Sequence, residues 1–161
     1  MASPLNRLYH AMRHPSASAV GTQPETISGF EHLRGQKYCL LVTYKRSGEA
    51  VPTPVWFGLR DGNVYIRSEG DVGKVKRIRN NQRVRLAPCT VRGQAVGPPA
   101  EGRARLIENR SREEDAAEAA LKANYGLGRK LYERVAGTLA SSLVYIEVVP
   151  AAEESVLPQT R

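Results

Sequence analysis

Apolar and polar residues alternate with a period of two through the middle of the chain, which predicts β-strands rather than helices. The run YCLLVT at residues 38–43 predicts a mostly buried strand, and the RSGE sequence at 46–49 is typical of a hairpin turn. The return strand over 51–57 contains Pro52 and Pro54, which have no N–H to donate to a neighbouring strand. We therefore expect this strand at a sheet edge or a strand end, covered by something other than another strand.

Further segments continue the strand pattern. The DGN sequence at 61–63 predicts a second hairpin turn that leads into a strand over 64–66. Later strands are predicted around residues 84–86, 103–107 and 143–148. Strands and helices do not alternate as they would in a doubly wound fold, and the sequence has no internal repeat. The pattern predicts a mainly β (α+β) fold, an antiparallel barrel or sheet with a few peripheral helices.

A short helix is predicted over residues 74–81. Val75 and Ile78 lie three residues apart and the other residues of this segment are polar, which gives the helix one narrow apolar stripe. Asp71, or a residue near it, is expected to cap the helix at its start.

Two more helices are predicted near the end of the chain. Ser111, followed three residues later by Glu114, is a capping box that opens an alanine-rich helix ending near Asn124. Gly126 and Gly128 are expected to break this helix, and a second helix then follows over 129–136.

The ends of the chain differ in composition from its middle. Residues 1–24 contain no Asp or Glu, several Ser and Pro, and only scattered apolar side chains, which is typical of a disordered tail. The sequence therefore predicts an N-terminal tail over 1–28, one folded domain over 29–150, and a C-terminal tail over 151–161.

Size, charge and cysteine content narrow the class of protein. The chain has 161 residues, 24 Lys+Arg and 16 Asp+Glu, giving a net charge of +8, so one domain that binds something anionic is expected. No apolar run approaches the roughly 18 residues of a membrane helix, which excludes a membrane-spanning protein. Only Cys39 and Cys89 are cysteines, and both stand beside apolar residues. Two reduced, buried thiols in a cytoplasmic protein are therefore predicted.

The strongest local charge lies between residues 72 and 86, where six basic residues occur without an acid. They are Lys74, Lys76, Arg77, Arg79, Arg83 and Arg85. Lys74 and Lys76 lie in the first turn or so of the predicted helix, where backbone N–H groups and the helix dipole favour an anion. Ser68, at the end of the preceding strand, can add a hydroxyl donor. The segment is either a phosphate cradle or a solvated face, and charge alone does not decide between them.

A longer pattern favours the cradle. The segments are YCLLVTY at 38–44, VPTPVWF at 51–57, YIRS at 65–68, GKVKRIRNN at 73–81 and VRLAPC at 84–89. Together they resemble the pyridoxamine 5′-phosphate oxidase-like split-barrel family, and most closely its deazaflavin-dependent branch. The resemblance implies a six-stranded antiparallel split β-barrel that forms a homodimer. It also implies a flavin or 8-hydroxy-5-deazaflavin (coenzyme F-420) in a groove at the subunit interface.

The resemblance further implies which residues hold the cofactor. Lys74 is expected to bind its phosphate, with four residues around it: Arg67, Ser68, Gly73 and Lys76. Arg77 and Arg79 are candidates for the acidic oligoglutamate tail that the deazaflavin carries.

The strand stretch Thr53, Pro54, Val55 and Trp56 matches the part of the family that lies beside the tricyclic ring. Trp56 is equally well explained as a core residue. Family members that oxidise pyridoxamine phosphate use an Arg-x-His sequence near the C-terminus, and this chain has none.

In this family the cofactor performs the chemistry, so the chain needs no catalytic residues of its own and no metal. The resemblance implies an oxidoreductase that uses the reduced deazaflavin to transfer a hydride to a small conjugated or unsaturated acceptor. Three alternatives remain open: an oxidoreductase of the same fold that uses FMN, a non-enzymatic carrier of deazaflavin or a tetrapyrrole, and a nucleic-acid-binding module. Against the last, the basic segment contains no aromatic residue on which bases would stack.

Overall fold

The computed structural model describes residues 13–107, 112–136 and 143–152. The strands in this part of the chain are β1 (Tyr38–Tyr44), β2 (Ala50–Trp56), β3 (Gly58–Arg60), β4 (Asn63–Glu69), β5 (Arg83–Cys89), β6 (Ala100–Ile107) and β7 (Leu143–Pro150). The helices are α1 (Ala17–Val20), α2 (Gly73–Asn80) and α3 (Arg112–Ala136), with a 3-10 turn at Glu31–Leu33. No helix among these residues is both long and apolar enough to cross a membrane.

All strand pairs are antiparallel, and the strands lie in the order β2-β1-β5-β6-β7-β4-β3. The two strands at the ends of this sheet, β2 and β3, are separated in sequence only by Phe57. The sheet must therefore curve back on itself, as in a split barrel, which confirms the predicted fold class. The described residues contain seven strands instead of six, because the short strand β3 follows directly after Phe57, beyond the end of the strand predicted over 51–57.

The prolines of β2 lie where the sequence places them, at the edge of the sheet. Pro52 and Pro54 stand opposite Val42 and Leu40 of β1, and no strand in the described part of the chain pairs with the other side of β2. The carbonyl oxygen of Pro52 instead accepts a hydrogen bond from Arg13 Nη1. The expected edge position and the expected covering by a non-strand segment are both confirmed.

The main core fills the inside of the curved sheet. Val55 and Phe57 belong to it, and α2 contributes Val75 and Ile78, the two residues of its predicted apolar stripe. Helix α2 therefore packs on the main core through two apolar side chains. The predicted cap at Asp71 is wrong, because the N-cap residue is Val72 and no side chain caps the helix.

The first described residues pack on the outside of the sheet. Ala17 and Val20 are fully or almost fully buried in a second cluster that covers the outer face of β1 and β5. Arg85 Nη1 donates hydrogen bonds of 3.1 Å to the carbonyl of Val20 and 2.6 Å to that of Gln23. The structure therefore differs from the predicted tail over residues 13–28, because two small apolar side chains and a buried arginine hold that segment in place.

Helix α3 covers the outer face of β3, β4 and β7. It runs without interruption through Gly126 and Gly128, so the prediction of two helices is wrong. A glycine inside a helix costs only about 1 kcal/mol relative to alanine, which neighbouring turns can offset. Ser111, the predicted cap, lies outside the described residues.

Both cysteines are free and buried, as predicted. Cys39 faces the main core, and Cys89 faces the outer cluster. Burial raises the pKa of the Cys39 thiol well above its ordinary value, and burial also raises the pKa of Cys89 to about 12. Both thiols therefore stay protonated and unreactive at neutral pH.

Candidate functional site

The start of α2 lies close to the end of β4 and forms the centre of the candidate site. No side chain caps the helix and its first turn contains no acidic residue, so its first N–H groups and its dipole favour an anion there. Ser68 at the end of β4 is buried, and its hydroxyl donates to the carbonyl of Glu69 at 3.1 Å. The uncapped helix N–H groups suit a phosphate, whereas the single hydroxyl proton of Ser68 is already donated to Glu69.

Lys74 supplies the cation of the candidate site. Its side chain is half-buried in the first turn of α2. Burial lowers the pKa of the Lys74 ammonium, Glu69 partly opposes the shift, and the positive charge of Arg77 adds to it. A bound anion would stabilise the charged form of Lys74 directly, so the residues present fit the phosphate of a cofactor.

Arg77 lies one turn further along α2 and is held by a buried hydroxyl. Its Nε donates to Thr43 Oγ1 at 2.7 Å, and Thr43 is fully buried in β1. Its guanidinium lies against the first residue of the helix, since a Cβ built on Gly73 would be 2.8 Å from Arg77 Nη1. Burial lowers the pKa of Arg77, and the like charge of Arg13 lowers it further. No carboxylate in the part of the chain that the structure describes forms an ion pair with Arg77.

A cleft of about 550 Å³ opens between the N-terminal segment, the β1–β2 hairpin and α2. Both Arg13 and Arg77 line it. The sequence analysis missed Arg13, because it belongs to a segment without periodic pattern. Lys45 and Glu49 also line the cleft and pair with each other at 2.7 Å.

The predicted ring stretch lies on β2, next to this cleft. Thr53 and Trp56 are half-buried, whereas Pro54 and Val55 are buried. Val55 packs in the main core, so its side chain points to the inner face of the sheet. Trp56 makes an edge-to-face contact with Tyr38, with ring centroids 6.3 Å apart. Trp56 is therefore half-buried beside Tyr38, which packs on the outer cluster, and it does not belong to the main core.

The structure does not bring the remaining basic residues into one surface. Lys76 and Arg79 are exposed on α2. Arg67 is half-buried and lies on the same face of β4 as Tyr65, which packs under α3. The next residue, Ser68, points to the opposite face. Gly73, Lys74 and Arg77 lie together in the first turns of α2, whereas Arg67 lies on the face of β4 opposite to Ser68.

Arg83 and Arg85 do not contribute to the site. They form ion pairs with Glu101 at 3.1 and 2.6 Å, on the outer face of β5. The six basic residues of the segment between 72 and 86 are therefore divided between a helix start, an exposed helix face and a structural cluster. A continuous basic strip for nucleic acid is not formed by them.

Comparisons with known proteins extend this description. The sequence profile of the family described as pyridoxamine 5′-phosphate oxidase matches residues 27–153. No curated protein matches the chain.

Several solved structures share the fold. The heme storage protein HutZ from Vibrio cholerae is 13% identical, over 73% of this chain and 83% of that one, with a TM-score of 0.56. An FAD-binding protein from Mesorhizobium loti is 14% identical over 74% and 83% of the two chains, with a TM-score of 0.54. A conserved hypothetical protein from Mycobacterium tuberculosis is 16% identical over 81% and 86%, also with a TM-score of 0.54. At these identities the likeness shows the fold alone.

Proposed function

Because the chain belongs to the pyridoxamine 5′-phosphate oxidase family, we propose that it is an oxidoreductase that uses reduced coenzyme F-420 to transfer a hydride to a small conjugated or unsaturated acceptor. One observation carries the proposal: the start of α2 combines a half-buried Lys74 with helix N–H groups that no side chain caps. This is the donor set that a cofactor phosphate requires.

The reduced deazaflavin, when bound, supplies the hydride, and the chain binds it, orients it and excludes water. Lys74 and the first turn of α2 hold the phosphate, with Ser68 beside them. The edge of β2 would lie next to the ring, and its prolines disfavour another strand in that place. Orientation of this kind provides much of the rate of a hydride transfer, which explains why the function needs no acid or base from the chain.

The basic residues beyond Lys74 favour the deazaflavin over FMN. Arg77 carries this argument, because the oligoglutamate tail of the deazaflavin has carboxylates that FMN lacks. Arg79, two residues further along the helix, is exposed on a different side of α2. FMN is the alternative, supported by the fold shared with a protein named as FAD-binding. A carrier that binds a deazaflavin or tetrapyrrole without turnover is a further alternative, supported by the fold shared with a heme storage protein.

A fluorescence titration with the deazaflavin coenzyme and with FMN, side by side at moderate salt, tests the proposal. We expect tighter binding of the deazaflavin, followed by oxidation of its reduced form when an acceptor is added. Tighter binding of FMN would move the protein to the flavin-dependent alternative. Binding without turnover across a panel of acceptors would favour the carrier, and binding of neither cofactor would contradict the proposal.

Replacing Lys74 with alanine is expected to weaken cofactor binding by about 10- to 100-fold, because one charge-assisted hydrogen bond contributes roughly 1.5–3 kcal/mol. The same titration measures this change. The unfolding midpoint is expected to stay the same, since burial already disfavours the charged form of Lys74. Lys122→Ala removes an equal charge from an exposed position on α3 and serves as the control. Unchanged affinity in Lys74→Ala would remove this lysine from the phosphate site.

The protein is expected to run as a homodimer, because the groove that the family uses for its cofactor needs both subunits. Light scattering coupled to size-exclusion chromatography measures the mass directly. A mass of twice one chain agrees with the proposal. A mass of one chain at micromolar concentration, with or without cofactor, would contradict the proposed placement of the cofactor between subunits.

A further inference from the structure

We infer that a pocket at the C-terminal end of α2 binds a phosphate group, at a place separate from the Lys74 site. The pocket has a volume of about 330 Å³ and is lined by Asn80, Asn81, Gln82, Arg83 and Arg103. Lys74 lies in the first turn of α2 and Asn80 is the last residue of that helix, so about 9 Å of helix separates the two sites. The inference does not depend on the proposed function.

The first support is the orientation of two amide side chains in the pocket. Asn81 Oδ1 accepts a hydrogen bond from the backbone N–H of Arg83 at 3.0 Å, and Gln82 Oε1 accepts one from Arg103 Nη2 at 2.9 Å. Both partners can only donate, so they fix which end of each amide is the oxygen. In the described part of the chain, neither NH2 group donates to another protein atom. The two amides therefore offer donors to a ligand.

The second support is the balance of charge in the pocket. Arg83 and Arg103 stand directly opposite each other on β5 and β6, a position in which like charges destabilise a sheet. Arg83 pairs with Glu101 at 3.1 Å, and that carboxylate is shared with Arg85. Arg103 has the neutral side chain of Gln82 as its partner, and no carboxylate among the described residues forms an ion pair with it. The charge of Arg103 is therefore left for a bound anion to balance.

The end of a helix is the negative end of its dipole, and here that end is capped. Asn80 Nδ2 donates to the carbonyl of Lys76 at 3.1 Å, and the backbone N–H of Asn81 donates to the carbonyl of Arg77 at 2.8 Å. Arg46 Nη2 donates to Asn80 Oδ1 at 3.3 Å and brings a further positive charge to the helix end. These contacts offset the dipole, which would otherwise oppose an anion.

A guanidinium group and two amide NH2 groups together form a set of donors without a free acceptor. A phosphate group accepts hydrogen bonds at its oxygens, and the planar fork of Arg103 can contact two of them. A volume of about 330 Å³ is at the lower end for a small-molecule site, so the pocket suits a phosphate ion or a small phosphate ester.

The experiment titrates the ¹⁵N-labelled full chain with inorganic phosphate at constant ionic strength and follows the NH2 resonances of Asn81 and Gln82 by NMR. A second titration uses chloride in place of phosphate. We expect shifts that saturate with phosphate only, in the wild type and equally in Lys74→Ala, because Lys74 lies at the other end of α2. Shifts that do not saturate, that chloride reproduces, or that disappear in Lys74→Ala would overturn the inference.

Gln82→Glu tests the donor set without removing a contact of the fold. The new carboxylate still accepts from Arg103, but a negative oxygen replaces the NH2 group. We expect phosphate binding to weaken by at least about tenfold, with a melting temperature that is unchanged or higher. Gln94→Glu adds the same charge at an exposed position between β5 and β6, outside the pocket, and should change affinity less than about twofold. Equal affinities of the two variants would contradict the site.

Two further variants decide the result if Gln82→Glu does not fold. Asn81→Asp keeps an oxygen for the N–H of Arg83 but loses its NH2 group, and Arg103→Gln loses the charge that has no counter-ion. Each is expected to weaken phosphate binding by about tenfold. Wild-type affinity in both variants would also overturn the inference.

The phosphate group can come from the free ion or from a small phosphate ester, and glycerol 3-phosphate distinguishes these sources. Equal affinity for the two probes would identify the free ion, tighter binding of glycerol 3-phosphate would identify an ester, and both results support the site. A short single-stranded oligonucleotide is the third probe. A response to the oligonucleotide without a response to either small molecule would overturn the inference in favour of nucleic acid. These titrations contain no cofactor, so they decide the pocket even if the proposed function fails.

Discussion

Gly58→Ala is expected to lower the free energy of unfolding by about 3 kcal/mol. A Cβ at this position would lie 2.5 Å from the carbonyl oxygen of Ala120 and from the backbone nitrogen of Leu121, both in α3. These are backbone atoms, so no side chain can rotate away and the whole helix has to move. Asn124 makes this movement costly, because its Nδ2 donates to the carbonyl of Phe57 at 2.8 Å.

Urea denaturation or thermal melting measures this loss, and a domain of this size should melt about 6–12 °C lower. Gly48→Ala is the matched control. Gly48 has a positive φ of 87° but no atom within 4 Å of its Cβ position. It should therefore lose only about 1 kcal/mol, from backbone strain. Equal losses in the two variants would show that α3 does not pack on Gly58 as described.

Arg85→Met is expected to lower the free energy of unfolding by about 2–3 kcal/mol and to release the N-terminal segment. The Arg85 side chain is only 9% exposed and pairs with Glu101 at 2.6 Å. Methionine fills a similar volume but leaves the carbonyls of Val20 and Gln23 without this donor. Limited proteolysis should cut within residues 13–28 much faster in the variant than in the wild type.

Arg83→Met is the control for this prediction, because Arg83 pairs with the same carboxylate from an exposed position. Its side chain is 55% exposed, and its guanidinium lies 4.8 Å from the centre of the Tyr44 ring. We expect a loss below about 1 kcal/mol and unchanged proteolysis. Similar effects of the two substitutions would mean that the burial of Arg85 is not what holds the segment.

The features that the sequence predicted correctly are those with local causes. Gly48, Asp61 and Gly62 all have positive φ values in the two hairpin turns, and such residue types favour that conformation in any context. The spacing of Val75 and Ile78 likewise places both on one side of a helix whatever that helix packs against.

The features that the sequence did not predict depend on contacts between distant segments. The bend at Phe57 is held by Asn124, which is 67 residues away in the chain. The covering of Pro52 comes from Arg13, in a segment whose composition is that of a tail. Helix α3 continues through Gly126 because the glycine cost is small relative to what the rest of the helix contributes.

The candidate site shows the same division. The position of Lys74 at a helix start could be predicted, because it follows from the local sequence pattern. Arg77 and Arg85 stand in similar basic sequence, yet one lines the cleft and the other is buried beside Glu101. What distinguishes Arg77 from Arg85 is the part of the fold that each side chain contacts, which the local sequence does not reveal. Arg13 lies in a segment with no sequence pattern that would predict its position.

The position of β7 in the sheet has a consequence for the synthesis of the protein. This strand is the last of the seven along the chain, yet it pairs with β6 on one side and β4 on the other. A nascent chain that has not yet reached residues 143–150 would therefore expose two interior strand edges with unpaired N–H and C=O groups. The barrel can close only after β7 has been synthesised, so β4 and β6 wait for their common partner and are expected to benefit from a chaperone that shields those edges.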